Sequence, residues 1–345
     1  MALRLVRLSA ISVAALLIGW VLMLSLVWLG TENKDPSAIL SVGTSQYFTA
    51  LTIGAIYALI ALGYTMVYGI IELINFAHGD VFMVGAFVPY LIFTNLFGFN
   101  GPVTNIPWLV AALLITLVAT MAILGLVGVT IERFAYRPLR NAPRLAPLIT
   151  AIGVSFIIQN VVQVLISNSP VPSPQLVSLS YRFEIFGASV AWLNVLIFLV
   201  ALALMIGLQL FVGGTRLGRA MRSTAQDREA AQLMGVDINL TIAVTFFIGS
   251  ALAGAAGLVY GLYKGSIVFN LGFDTGLKAF TAAVLGGIGN TTGAALGGFL
   301  IGFVEVASVV TGLARWQEAI VFAVLIVVLV FRPSGLLGQP LGERA

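Results

Sequence analysis

The chain has 345 residues, 60% of them hydrophobic and only 9% charged, with a mean hydropathy of +1.07. Such a balance describes a polypeptide whose solvent is largely lipid, and the absence of cysteine excludes disulfides, thiolate nucleophiles and cysteine-ligated metals. The net charge of +4 does not point to nucleic acid, because the basic residues gather in short connections that mark one side of a membrane.

A hydrocarbon core of roughly 30 Å is crossed by about 20 apolar residues in a helix. Runs of that kind predict spans near 9–30, 46–70, 80–97, 107–131, 146–167, 190–212, 238–262, 277–290, 292–311 and 317–331. The apolar residues run continuously instead of alternating, which excludes a barrel. The predicted fold class is therefore all-α, a polytopic membrane bundle of eight to ten transmembrane helices.

Taken in chain order, the first apolar run follows Arg4 and Arg7, so it reads either as a signal peptide or as a retained helix. It is longer than the roughly 7–15 residues of a signal core and ends in VWLGTENKD without an A-x-A site, which favours a retained helix within residues 1–35. The next feature is INFAHGD, Ile74 to Asp80, with Glu72 just upstream and His78 the sole histidine. One His with neither a second His, a Cys nor a spaced carboxylate pair does not recommend a metal site. A proton relay between His78 and Asp80 is one reading, and a polar break between two helices is the plainer one.

If the start is cytoplasmic, the connections holding Arg133, Arg137, Arg140 and Arg144, and later Arg216, Arg219, Arg222 and Arg228, fall on the same side. So do Arg4, Arg7, Arg332 and Arg344, which predicts both termini in the cytoplasm. Gln159, Asn160 and Gln163 lie within an apolar span, where helix-to-helix hydrogen bonding is the first expectation and a lining role for Gln159 the second. The outer connection, 167–187, opens with three prolines and then alternates Leu179, Tyr181, Phe183 and Ile185 against polar neighbours. That pattern predicts a short strand in a small hairpin.

The inner connection 213–239 is the longest hydrophilic stretch. Arg219, Arg222, Gln226 and Glu229 recur at helical spacing and give one polar stripe. In EAAQLMG, Ala230 and Ala231 offer close approach and Gly235 a helix end; a docking element and an ordinary solvated loop both fit. Small residues every four positions, Ala253 to Gly265 and Gly289 to Gly297, predict close helix packing. GGIGN, Gly286 to Asn290, predicts a broken or re-entrant element, which leaves the number of spans open between eight and ten. Glycine-interrupted segments mark translocation sites in transporters, so Gly287 and Gly289 join Asn75, His78 and Gln159 as candidates for the path. Glu305, alone in IGFVEVAS, is the fourth polar candidate, because an intramembrane carboxylate is costly to bury. Neither G-x-x-x-x-G-K-[ST] nor G-x-S-x-G occurs, so the chain has no P-loop of its own and lacks the common serine-hydrolase elbow. No catalytic residue is identified.

IGAIYALIALGYTMVYGIIELINFAHGDVFMVGAF, Ile53 to Phe87, closely resembles the LivH-type permease of the bacterial branched-chain amino-acid ABC importer. The resemblance continues through IERFAYRPLR, LGRAMRSTAQDREAAQLMGV, LKAFTAAVLGGIGN and FRPSGLLGQP, and covers about residues 45 to 340. It implies an importer permease domain over 36–345, in a multi-pass protein of the bacterial inner membrane. The implied partners are a second permease of the LivM type, two cytoplasmic ATPases that hold ATP and magnesium, and a periplasmic substrate-binding protein. This chain itself carries no cofactor. The implied substrates are leucine, isoleucine, valine or similar hydrophobic amino acids. The segment Glu229, Ala230, Ala231 to Gly235, with Arg219 and Arg222 upstream, matches the EAA motif that docks on an ATPase. The I-x-L-P that ends the fuller motif is replaced here by VDINLTIAVTF, and the N-terminal span is an addition to the shorter family members. A related permease for urea or amides, a secondary transporter or channel, and a membrane-embedded enzyme are the rival expectations.

Overall fold

The computed structural model describes residues 2–31, 34–99, 101–140, 142–143, 145–176 and 181–338. Leu179, Arg144, Arg344 and the end of the FRPSGLLGQP motif lie outside the described residues. Helix α1 (Ala2–Gly30) leads to α2 (Pro36–Ile71), which starts ten residues before the predicted span. Its start is local chemistry: Asp35 accepts the Ser37 amide and Pro36 occupies the first turn, where a missing N–H costs nothing. Next come α3 (His78–Leu91), prolonged by a π-helical turn over Ile92–Leu96, and α4 (Ile106–Ile131), prolonged by another over Glu132–Tyr136. Helix α5 (Leu145–Leu165) completes the first half.

Three short strands follow: β1 (Val171–Pro172), β2 (Arg182–Ile185) and β3 (Ala188–Ala191). Strands β2 and β3 form the predicted hairpin, and its two turn residues, Phe186 at φ 51° and Gly187 at φ 75°, are both left-handed, as a two-residue type I′ connection demands. Helix α6 (Trp192–Gly214) returns across the bundle to the short helices α7 (Arg216–Gln226) and α8 (Arg228–Leu233). Helix α9 (Ile238–Lys264) crosses again, and β4 (Ser266–Ile267) pairs antiparallel with β1. The chain ends in α10 (Leu271–Gly286), α11 (Thr291–Val310) and α12 (Gln317–Phe331).

Among the described residues, eight helical segments are long and apolar enough to cross a membrane: Pro36–Ile71, His78–Leu96, Ile106–Leu139, Leu145–Leu165, Trp192–Gly214, Ile238–Lys264, Thr291–Val310 and Ala314–Phe331. The predicted span 277–290 is corrected. Helix α10 begins at Leu271 and stops at Gly286, so its 16 residues reach only about 24 Å, short of the hydrocarbon thickness.

Helices α2 and α9 form the inner pair, with α3, α10 and α11 packed around them. Small residues set the spacing: a Cβ on Gly54 would sit 2.8 Å from the Cα of Phe299, and one on Gly85 would sit 2.7 Å from the Cα of Gly254. Backbones that approach this closely gain dispersion contacts where lipid offers no hydrophobic drive between helices. Helices α4, α5, α6 and α12 turn exposed Leu114, Ile157, Leu210 and Val330 outward, the faces that lipid would cover.

Candidate functional site

INFAHGD lies at a true interruption. Helix α2 stops at Ile71 because Glu72 adopts a left-handed conformation at φ 56°, its amide closing the last turn on the Tyr68 carbonyl at 2.8 Å. In the loop 72–77, Asn75 is buried and its Oδ1 accepts from the Tyr136 hydroxyl at 3.2 Å, which fixes the break against the π-helical end of α4. His78 is the first residue of α3. Its ring is buried in the gap left by Gly63 on α2, with the Tyr64 ring 4.6 Å away, and neither ring nitrogen makes a hydrogen bond.

Asp80 faces another way. It accepts hydrogen bonds from Gln159 Nε2 at 2.9 Å and from Ser155 Oγ, both on α5. The relay weighed between His78 and Asp80 is not formed, because residues two apart on a helix do not face each other. Gln159 thus makes the helix-to-helix bond expected of it, whereas Asn160 Nδ2 turns back to the Phe156 carbonyl of its own helix at 2.8 Å. Among the described residues no three His, Cys, Asp or Glu side chains converge in a way that could hold a metal ion.

The GGIGN break sits beside the same end of α2, with Gly289 against Gly69. Gly287 (φ 105°) and Gly289 (φ 91°) take conformations that disfavour any side chain. The carbonyls freed at the end of α10 are met by the C-terminal tail: the Leu336 amide donates to Leu285 at 2.9 Å and the Leu337 amide to Gly286 at 3.0 Å. Asn290 caps α11 through Oδ1 and holds the Leu337 carbonyl through Nδ2 at 2.8 Å. Gly287 therefore lies under Gly335 and Gly338 of the tail, a pairing that the quoted motifs did not announce individually.

Glu305 is buried on α11. Its Oε1 accepts from Lys278 Nζ at 3.2 Å and from Gln317 Nε2, while Oε2 has no partner. Lys278 was not among the sequence candidates; the available signal was a lone charge in the apolar run LKAFTAAVL.

On the opposite end of the bundle, α7 and α8 form a helical corner. Asp227 accepts the Ala230 amide at 3.0 Å and so starts α8. The end is a Schellman motif: the Val236 amide reaches the Ala231 carbonyl at 3.0 Å, the Gly235 amide reaches Gln232 at 3.0 Å, and Gly235 takes φ 83°. Glu229 and Ala230 are exposed while Ala231 is buried against the bundle. Leu233 and Met234 are 88% and 84% exposed. Arg219 is exposed, and Arg222 folds back to the Val212 carbonyl. Arg228 joins the corner to α2 at the Ile70 carbonyl. A cavity of about 450 Å³ lies between the corner and the break, with Glu72, Tyr136, Arg140 and Glu229 in its wall.

The family described as branched-chain amino acid transport system, permease component, matches residues 46–329. The chain belongs to that family. This permease is 42% identical over 302 residues to the high-affinity branched-chain amino acid transport system permease protein BraD of Pseudomonas aeruginosa PAO1, covering 87% of this chain and 97% of that one. It is 41% identical over 302 residues to the corresponding protein LivH of Escherichia coli K12, covering 87% of this chain and 96% of the relative. LivH of Salmonella typhimurium LT2 gives the same identity and coverage. The matched segment opens within α2, so α1 of this permease precedes it.

Proposed function

We propose that this permease is the membrane-spanning subunit of a bacterial inner-membrane ABC importer for leucine, isoleucine, valine or similar hydrophobic amino acids. In this reading residues 36–345 form the importer domain, α1 is a retained additional helix, and both termini are cytoplasmic. A second permease of the LivM type, two cytoplasmic ATPases that hold ATP and magnesium, and a periplasmic binding protein complete the machine. The chain supplies no catalytic group of its own.

The observation that carries the reading is the exposed Leu233–Met234 tip of α8. Two large apolar side chains left uncovered at the polar end of a bundle mark a protein-binding site, and the stop at Gly235 together with the Arg228 link makes α8 a stiff lever. ATP-driven motion of the partners would shift α8 as a rigid body, and through Ile70 would shift the C-terminal end of α2 where both helix breaks converge. Asn75, His78, Gln159, Gly287 and Gly289 then act at or beside the moving breaks, and Glu305 lines the path. The test is a mild-detergent purification of the tagged protein with identification of co-purifying chains and an ATPase assay. Two ATPases and a second permease support the proposal; a lone, ATPase-free protein that moves solute in liposomes overturns it.

A further inference from the structure

Leu271, Asp274, Thr275 and Lys278 of α10, Glu305 of α11, Glu318 of α12, the middle of α2 and the end of α9 line a cavity of about 220 Å³. It lies at the opposite end of the bundle from α8: α9 leaves the α8 corner at Ile238 and reaches the cavity at Tyr260 and Tyr263, about 35 Å along its axis. The cavity is smaller than the roughly 300–1,000 Å³ of sites for drug-sized ligands, so it suits a small solute.

Its wall divides chemically. One side carries the Lys278–Glu305 ion pair at 3.2 Å, with Tyr57, Tyr263 and Asp274 nearby. Ile53, Ile56, Val268 and Leu271 form an apolar side. The Glu305 carboxylate is satisfied on Oε1 alone: Oε2 is buried and unpartnered, although the Tyr57 hydroxyl faces the same carboxylate. A buried acceptor without a donor costs about 1–3 kcal/mol, and a charged one is among the groups least tolerated in a membrane interior. Lys278 has three N–H donors. It directs one to Glu305 and lies 3.8 Å from Glu318, whose side chain is 70% exposed at the rim. At least one donor remains for a ligand, and the exposed Glu318 marks the rim of the cavity.

We propose that this cavity binds the zwitterionic head of an α-amino acid in the outward half of the permease. The ligand ammonium takes Glu305 Oε2, the ligand carboxylate takes the free donor of Lys278 with a tyrosine hydroxyl, and a branched apolar side chain lies on Ile53, Ile56, Val268 and Leu271. The assignment of leucine-like side chains rests on the proposed function above; the requirement for a zwitterion rests on the charges alone.

The natural absence of cysteine makes the test clean. Val268→Cys and, separately, Thr275→Cys are introduced into the complete transporter in right-side-out vesicles. Their modification by a membrane-impermeant methanethiosulfonate is then timed on this chain, and leucine uptake is measured in the same vesicles. Saturating leucine is expected to slow modification at both positions roughly tenfold by depleting the open site. Leucinamide, which lacks the carboxylate, and 4-methylpentanoate, which lacks the ammonium, each need at least about tenfold higher concentration for the same protection, the worth of one charge-assisted hydrogen bond. Glu305→Gln raises the half-protecting leucine concentration by a similar factor, and Glu305→Asp restores part of it. Uptake of leucine without protection by any amino acid overturns this site and leaves the proposed function standing. Protection by a different zwitterion, with no leucine uptake, overturns the proposed substrate and supports the site. Equal protection by the zwitterion and both truncated analogues overturns the assignment of the charged pair.

Discussion

Arg228 donates from Nη2 at 2.7 Å and from Nε at 3.2 Å to the carbonyl oxygen of Ile70, binding the first residue of α8 to the last turn of α2. These two bonds run directly from α8 to a helix that borders a chain break. Arg228 falls one residue before Glu229, so the proposed docking element and the break at 72–77 share a rigid connection. Arg228→Met keeps most of the side-chain volume and removes the charge-assisted bond, worth about 1.5–3 kcal/mol. Leucine uptake by the assembled importer should fall about tenfold or more, while Arg228→Lys, which keeps one donor, should retain an intermediate rate. Unchanged uptake in Arg228→Met would show that the link does not carry motion.

The tip of α8 is the second target. Leu233→Asp and Met234→Asp place charge where an apolar partner surface is proposed, with little effect expected on the fold because both side chains are exposed. Co-purification of the ATPases should be lost while the amount of permease in the membrane stays near the parent level. Glu229→Lys and Gly235→Pro should abolish uptake with insertion intact. Retained ATPase binding in Leu233→Asp would remove α8 from the interface.

Between α3 and α5, Asp80 depends on Gln159 and Ser155 for its hydrogen bonds. Gln159→Leu leaves a buried carboxylate oxygen without its donor and should destabilise the purified protein by about 1–3 kcal/mol. A melting curve in detergent should shift down by several degrees, and Asp80→Asn in the same background should recover part of the loss, since neutralising the carboxylate removes the larger desolvation cost. A flat response would mean that water, not Gln159, satisfies Asp80.

Where the tail covers GGIGN, Gly287 leaves no room for a side chain: a Cβ would lie 2.7 Å from the Cα of Gly338, at φ 105°. Gly287→Ala is expected to cost at least about 1–3 kcal/mol through backbone strain and to release the tail. Limited proteolysis should then cut near Arg332 several-fold faster than in the parent protein. Equal cleavage rates would show that the tail is held elsewhere.

Much of this architecture was legible because it is local. The length of each apolar run determines whether a helix spans, and Gly235 ends α8 by a pattern confined to six residues; the starts at Asp35–Pro36 and Asp227 are just as local, although the apolar pattern alone placed the first of them ten residues late. INFAHGD read as a break for the same reason: polar groups interrupt an apolar period, and the backbone around Glu72 does turn out of the helix there. The hairpin at Phe186–Gly187 likewise follows from alternation and turn chemistry.

Partnership was not legible, because a buried polar group takes whichever donor the packing brings to it. Asp80 could have met His78 two residues away, but helical geometry separates that pair and brings Gln159 to it from 79 positions along the chain. Glu305 reads as a solitary charge in sequence and is half of an ion pair with Lys278, 27 residues earlier, because α10 folds back on α11. Gly287 reads as a helix weakness near a path, and the fold places the tail on it. Apart from the short α10 and the early start of α2, the amino-acid pattern reveals which segments are built to cross lipid, since that depends on period and length within a few turns. Which charges face each other follows from the fold, since in a low-dielectric interior that choice belongs to the packing of distant helices.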